Sequence, residues 1–167
     1  NVGAMPIGME IDDEGQTLYV YAWLDRSLSA YDVRKPHIPS LLWRIDLIDT
    51  EPLSEAVLTG KRLFFDAQDT RITKSGYIAC SNCHPNAEHD GQTWDFSDRG
   101  EGLRNTHTLK GVAHTGQIHW TGNFDEFQDF EHDFREAFGG EGFLSDNDYM
   151  ASSPLSEPKI GLNDDLD

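Results

Sequence analysis

The chain has 167 residues, 37% hydrophobic and 11% aromatic, enough for a modest core in one domain, or in one domain and part of another. It contains no run of about 18 apolar residues, which excludes a membrane-spanning helix, and no signal-peptide pattern is visible. The formal net charge is −17, and from Asp125 to Asp167 there are 13 acidic residues against Arg135 and Lys159. Such a surface repels nucleic-acid phosphates and anionic membranes, and it suits either solubility or a partner with a basic surface.

In chain order, residues 1 to about 48 read as strands. Leu18-Tyr19-Val20-Tyr21-Ala22-Trp23 is rich in β-formers and follows a turn at Asp13-Glu14-Gly15. Ser27 to Val33 alternates polar and apolar residues with period two, and Leu42 to Leu47 does so less cleanly. The spacing predicts three or four short strands in one antiparallel meander. The methionines Met5 and Met9 fall inside it and read as core. Asp12-Asp13-Glu14-Gly15 and Asn163-Asp164-Asp165 lack the spaced oxygens of a calcium loop and read as turns.

Helical signals begin near Thr50, with Pro52 suited to a first turn and Ser54 an alternative cap. Leu53, Val57 and Phe64 share a face, and Gly60 would permit close backbone approach. Further on, Phe124, Phe127, Phe130, Phe134 and Phe138 recur at helical spacing, which predicts one helix over 124–138. His132 falls off that stripe among Asp129, Glu131, Asp133 and Glu136, and reads as exposed. Asn163 is placed to cap a helix near the end of the sequence, and the expected crossing helix itself is absent from these residues, so a continuing natural chain is expected.

Between these helices lies Cys80-Ser81-Asn82-Cys83-His84, and it contains both cysteines of the chain. The C-x-x-C-H spacing lets two thiols form thioethers to the vinyl groups of one porphyrin, with the next imidazole as proximal iron ligand. One covalent haem c, held by Cys80 and Cys83 with His84 on iron, is the expected cofactor. A zinc site completed by His89 and a redox disulfide are the alternatives. Covalent haem attachment normally takes place outside the cytoplasm, which implies a periplasmic or otherwise extracytoplasmic bacterial protein.

For the sixth iron position three residues compete. Met150 follows His84 by 66 residues, the place of the distal methionine in small cytochromes, and reads as a loop residue. His132 and His119 are the alternatives, and an open position is the fourth possibility. His37, His89, His107 and His114 read as turn, surface or hydrogen-bonding residues. Trp94, Phe96 and Trp120 supply aromatic bulk for a porphyrin pocket. Arg104 and Asn105 suit propionates or backbone carbonyls.

Two resemblances extend this reading. Met5-Pro6-Ile7-Gly8 through Leu18-Tyr19-Val20 resembles a β-propeller blade of the Tyr-Val-Thr-Asn repeat type, with Glu14-Gly15 in place of Asp-Gly. The segment Leu63-Phe64-Phe65-Asp66, Cys80 to His84, Asp90-Gly91, Arg104-Asn105-Thr106-His107 and His119-Trp120-Thr121-Gly122 resembles bacterial di-haem cytochrome c peroxidases and the related methylamine-utilisation haem enzymes. Their pattern runs Arg-Asn-Thr/Ser-Pro, then Phe-Trp-Asp-Gly. The resemblance implies a mainly α, cytochrome c-like haem domain over residues 50–167, preceded by an antiparallel β segment over residues 1–49. It implies electron transfer with a redox partner protein or, alternatively, peroxidase-like reduction of hydrogen peroxide. It also places Trp120 where those enzymes have a tryptophan between two haems. This chain has only one haem motif, and Arg99-Gly100-Glu101-Gly102 lacks the histidine that precedes Arg-Asn-Thr in the peroxidases, so no sixth ligand carries over.

Overall fold

Asp12 organises the first turn. Its Oδ1 accepts from the Gln16 amide at 2.6 Å and from the Thr17 amide at 3.0 Å, while Gly15 takes φ +68°. A residue without Cβ adopts that conformation at little cost. The turn reverses β1 (Pro6–Ile11) into β2 (Thr17–Ala22), and β3 (Ser27–Asp32) and β4 (Ser40–Asp46) continue the antiparallel order β1-β2-β3-β4. The structure, a computed structural model, describes residues 2–97, 100–152, 155 and 157–167. Arg99, part of the stretch without histidine, lies outside the described residues. The chain divides into two compact units, residues 1–55 and 56–167.

In the first unit the register pairs Met9 with Val20, Val20 with Ser29, and Ser29 with Arg44. Met9, Ile11, Leu18, Val20 and Ala22 therefore share one face, and Tyr19, Tyr21, Leu28, Trp43 and Ile45 share the other. Val20, Ala22 and Ala30 are buried, but so are Ser27 and Ser29. The sheet is thus apolar on both faces rather than divided into an inner and an outer one. Its outer strands carry exposed hydrophobic residues, and Met9, expected in the core, is 67% exposed. At the end of β3 the Arg34 guanidinium grips both Asp32 carboxylate oxygens at 3.0 and 2.5 Å. Hydrogen bonds from Arg34 hold the Asp32 carboxyl down, to about 2 from 3.8. Because this folded value is depressed, the stabilisation is present above pH 3.8 and is lost as pH falls towards 2. Carboxyl-carbon NMR titration should find a midpoint near 2, returning towards 3.8 in Arg34→Ala; an unchanged midpoint in that variant would refute the pairing.

The expected mainly α fold class is corrected: helix and strand make up 24% and 23% of the structure, which holds a four-strand antiparallel sheet and only short helices, so the chain is not mainly α. After α1 (Glu55–Phe65) the helices are short: α2 (Cys80–Cys83), α3 (Phe130–His132) and α4 (Asp146–Ala151). A hairpin of β5 (Thr93–Phe96) and β6 (Gly102–Asn105) lies between them. The reason is local. Positive-φ glycines at Gly76, Gly91, Gly111 and Gly122 interrupt any helical run between α1 and α3. α1 starts directly after Ser54, and Glu55 and Arg62 match the helix dipole at its two ends. It buries no side chain completely, and nothing lies within 4 Å of a Cβ placed on Gly60, so the close approach expected there is absent.

The phenylalanine stripe also departs from expectation. Phe124 pairs with Ile118 in a β-bridge and is buried, outside any helix. Helical backbone begins at Phe127 with a 3-10 turn, passes through α3, and widens into a π turn over Asp133–Ala137. Phe127, Phe130 and Phe134 still stack, with centroids 6.2 and 6.4 Å apart. The π turn is sealed by the loop that follows. Phe138 donates to the Asp133 carbonyl, Gly140 to that of Phe134, and Gly142 to that of Arg71. A Cβ on Gly140 would sit 2.7 Å from the Ile72 carbonyl carbon, against backbone that cannot yield. Gly140→Ala should therefore cost about 1–3 kcal/mol in urea unfolding; a neutral result would show that the two segments do not pack this closely.

Around this loop the core is held by charge as much as by hydrocarbon. Ile72, Ala79, Ile118, Phe124 and Leu144 are buried, but Asp129, Glu131 and Lys159 are each 0% exposed. Glu131 accepts from Arg135 Nε at 2.7 Å and from the amides of Phe143 and Leu144. Lys159 Nζ donates to Asp129 Oδ1 at 2.7 Å. Buried charges persist when every lone pair and proton finds a partner.

Candidate haem site

The two thiols are set by one short turn. Asn82 reaches back to the Ala79 amide through its side chain at 2.7 Å, and its own amide donates to the Ala79 carbonyl at 3.0 Å. This closes α2 over Cys80–Cys83 and places the two cysteines three residues apart on one helical turn. Burial pushes both thiols up from their ordinary range. Both are free thiols, so the structure holds no redox disulfide. Among the described residues no group of three or more His, Cys, Asp or Glu is arranged to hold a metal ion.

His84 ends the turn, and Pro85 redirects the chain. His84 Nδ1 lies 3.2 Å from the Glu88 carbonyl oxygen. A carbonyl only accepts, so Nδ1 carries the proton and Nε2 of the neutral ring carries the lone pair. An imidazole held in this way is oriented for a metal at Nε2. The donor set and its support fit a covalently attached haem: two thiols on one turn, followed by an imidazole with the correct nitrogen bare.

The segment after β6 clasps the loop that follows His84. Leu109 and Thr108 donate to the Ala87 carbonyl at 2.8 and 3.2 Å, and Lys110 pairs with Glu88. Trp94 Nε1 donates to Thr106 Oγ1 at 2.9 Å and to Asp90 Oδ2 at 3.2 Å. Trp120 Nε1 donates to the Asn105 carbonyl at 2.7 Å. Asn105 is thus a backbone anchor, and its side chain accepts from Thr93 Oγ1 at 2.8 Å. The Arg104 guanidinium donates to the Leu103 carbonyl, and Phe96 closes the β5–β6 ladder opposite Gly102. Tryptophan indoles fixed at their N–H expose their ring faces for packing, the role expected of a porphyrin wall.

The sixth-ligand candidates differ sharply in surroundings. Met150 lies on α4 rather than in a loop and is 71% exposed. His119, at φ +67°, has Nδ1 3.1 Å from Asn123 Oδ1 and 4.0 Å from Glu101 Oε1, while Nε2 lies 3.8 Å from Asp133 Oδ2. Both of its nitrogens therefore face oxygens. His132, expected to be exposed, has a side chain only 14% exposed and packs on Tyr149. Sequence reasoning passed over His107, whose ring lies 5.1 Å from that of Trp120. Burial, with His119 and His84 as nearby like charges, holds its imidazole below the ordinary histidine range. Its signal was its position, where the resembled pattern has proline.

Residues 54–157 match the sequence model of the family described as di-haem cytochrome c peroxidase. The match covers more than half of the chain, and the chain belongs to that family. Members bind haem c, typically two in the full protein, so the domain is a haem c-binding, cytochrome peroxidase-like one. No curated protein and no solved structure matches the chain.

Proposed function

We propose that residues 50–167 form a domain that holds one haem c through Cys80 and Cys83, with His84 on the iron, and that it transfers single electrons. The observation that carries this reading is the Cys80–His84 turn, in which the Glu88 carbonyl fixes the His84 proton on Nδ1. When bound, the haem supplies the redox couple. The protein's part is to hold and orient. Cys80 and Cys83 tether, His84 ligates, the clasp from Arg104 to Lys110 fixes the loop behind it, and Trp94 and Trp120 wall the pocket. The acidic surface would favour a redox partner protein with basic residues. Family members are typically extracytoplasmic, and among the described residues no helix is long and apolar enough to cross a membrane; a periplasmic location follows from this reading. The first unit, apolar on both faces, suits a propeller blade that packs between two others.

A second reading, peroxidase-like reduction of hydrogen peroxide, is favoured by His119 between Glu101 and Asp133, a largely buried acid–base group. Redox titration of the haem-loaded protein, paired with a peroxide-consumption assay, separates the two. A one-electron Nernst curve without peroxide turnover supports electron transfer; fast turnover that is lost in His119→Ala supports the peroxidase.

A further inference from the structure

The register of the four-strand sheet sets its side chains in rows. Glu10, Tyr19, Ala30 and Trp43 lie side by side across β1, β2, β3 and β4, and Gly8, Tyr21, Leu28 and Ile45 form the next row. Both rows belong to one face, because residues two apart on a strand point to the same side. The centre of the opposite face is covered: Val20, Ala22, Ser27 and Ser29 are buried. Among the eight residues of these rows Ala30 alone is buried, and Trp43 and Ile45 are 41% and 49% exposed. The Trp43 ring leans over Ala30 to within 6.1 Å of the Tyr19 ring, centre to centre. At the other side of the face Gly8 has no side chain, and a hollow of about 270 Å³ opens there, lined by Gly8, Glu10, Tyr19, Tyr21 and Leu28 among others. A glycine inside a strand often marks a place where another chain approaches closely.

The face is therefore low along β1, at Gly8, and high along β4, at Trp43 and Ile45. Turned over about an axis parallel to the strands, a copy of it lays its β4 over β1 and its β3 over β2, so high meets low on both sides. Ile45 of the second copy then enters the hollow over Gly8, and Leu28 of the second copy meets Tyr21. Glu10, the only charged residue of the eight, faces Trp43 of the second copy, whose indole N–H can donate to a carboxylate. A strongly basic partner would find one carboxylate here and seven uncharged residues, so the face suits an apolar sheet. Four strands about 4.8 Å apart, read over six residues of about 3.3 Å each, give it a flat area of about 400 Å². The relief of the side chains adds to this, and the sum suits a weak, reversible pairing rather than an obligate one.

We propose that this face is an isologous dimer interface, closed by the same face of a second copy of the chain. It supplies one of the two sheets that the blade-like reading above puts against the first unit, rests on that reading only for the need of a cover, and is independent of the haem. Sedimentation equilibrium of the full chain over a concentration series should show the mass rising from 18.8 kDa towards twice that value, half-way at about 10–100 µM. Added salt should strengthen the dimer, because two chains of net charge −17 repel each other, whereas salt would release a basic partner. Ile45→Glu should weaken the dimer at least about tenfold, since it drives a second carboxylate into the hollow beside Glu10. Gly8→Leu fills the hollow and should act in the same direction. Gly8→Leu combined with Ile45→Ala exchanges the high and low sides and should recover most of the affinity. Ile11→Glu, an equally exposed position on the opposite face, should leave the dimer unchanged. Far-ultraviolet circular dichroism checks that each variant keeps its sheet. A chain that stays monomeric throughout, an Ile45→Glu variant that dimerises like wild type, or loss of the dimer in Ile11→Glu would overturn the interface. A folded double variant that stays monomeric would overturn the pairing of Gly8 with Ile45. Covalent haem, measured on the same samples, bears on the haem reading alone.

Discussion

Replacing Cys80 and Cys83 together by serine should abolish covalent haem completely. Each thioether needs a thiolate sulfur, and these are the two sulfurs that α2 brings onto one turn beside His84. The serines preserve the turn, because its closing bonds belong to Asn82 and Ala79, not to the thiols. Haem staining on a denaturing gel should disappear, while the circular dichroism of the β-sheet unit remains. Each single variant should keep one thioether, and its haemochrome band should move to longer wavelength as one vinyl group stays free. His84→Ala should behave differently: the tethers remain and the iron loses its proximal imidazole. Covalent haem persisting in the double variant would refute the attachment. A wild-type protein that binds one zinc ion and no haem would return the motif to the zinc alternative.

Asp129→Ala should be the most destabilising single change in the second unit, costing about 3–5 kcal/mol in urea unfolding. It strands the Lys159 ammonium, itself 0% exposed, with the Glu157 carbonyl at 3.1 Å as its remaining partner among the described residues. Lys159→Met should cost less. The Asp129 carboxylate it leaves behind still accepts from the Asp125 amide at 3.0 Å and from the Glu126 amide at 3.4 Å. The double variant Asp129→Leu with Lys159→Met should recover much of the loss, since neither charge is then buried alone. The order of the two single variants is the sharpest check: Lys159→Met more damaging than Asp129→Ala would mean that the carboxylate, not the ammonium, is the group that cannot be left unpaired.

The four-strand meander was legible because its signals are local. The Asp12 to Gly15 turn and the alternation in β2 and β3 depend on neighbours a few residues away. The mainly α expectation failed for the opposite reason. It extended helical spacing at Phe124 to Phe138 across a residue that Ile118 draws into a β-bridge. It also had no signal for β5 and β6, four residues each and separated by a loop, which pair only because the ladder closes. The π turn after His132 likewise owes its shape to Gly140 and Gly142 docking on Arg71 and the Phe134 carbonyl.

The proposed chemistry of attachment rests on five consecutive residues, because two thioethers and an axial imidazole on one porphyrin demand that spacing. Family membership and the acidic surface could be read the same way. Which nitrogen of each histidine bears a proton could not be. His84 depends on a carbonyl four residues on, and His132 on a tyrosine 17 residues away. The Asp129–Lys159 pair spans 30 residues. Both glutamate and lysine look like solvated surface in a sequence this charged. Only packing showed that Glu131 and Lys159 are interior, because the energy of a charge is set by what surrounds it, not by its place in the chain.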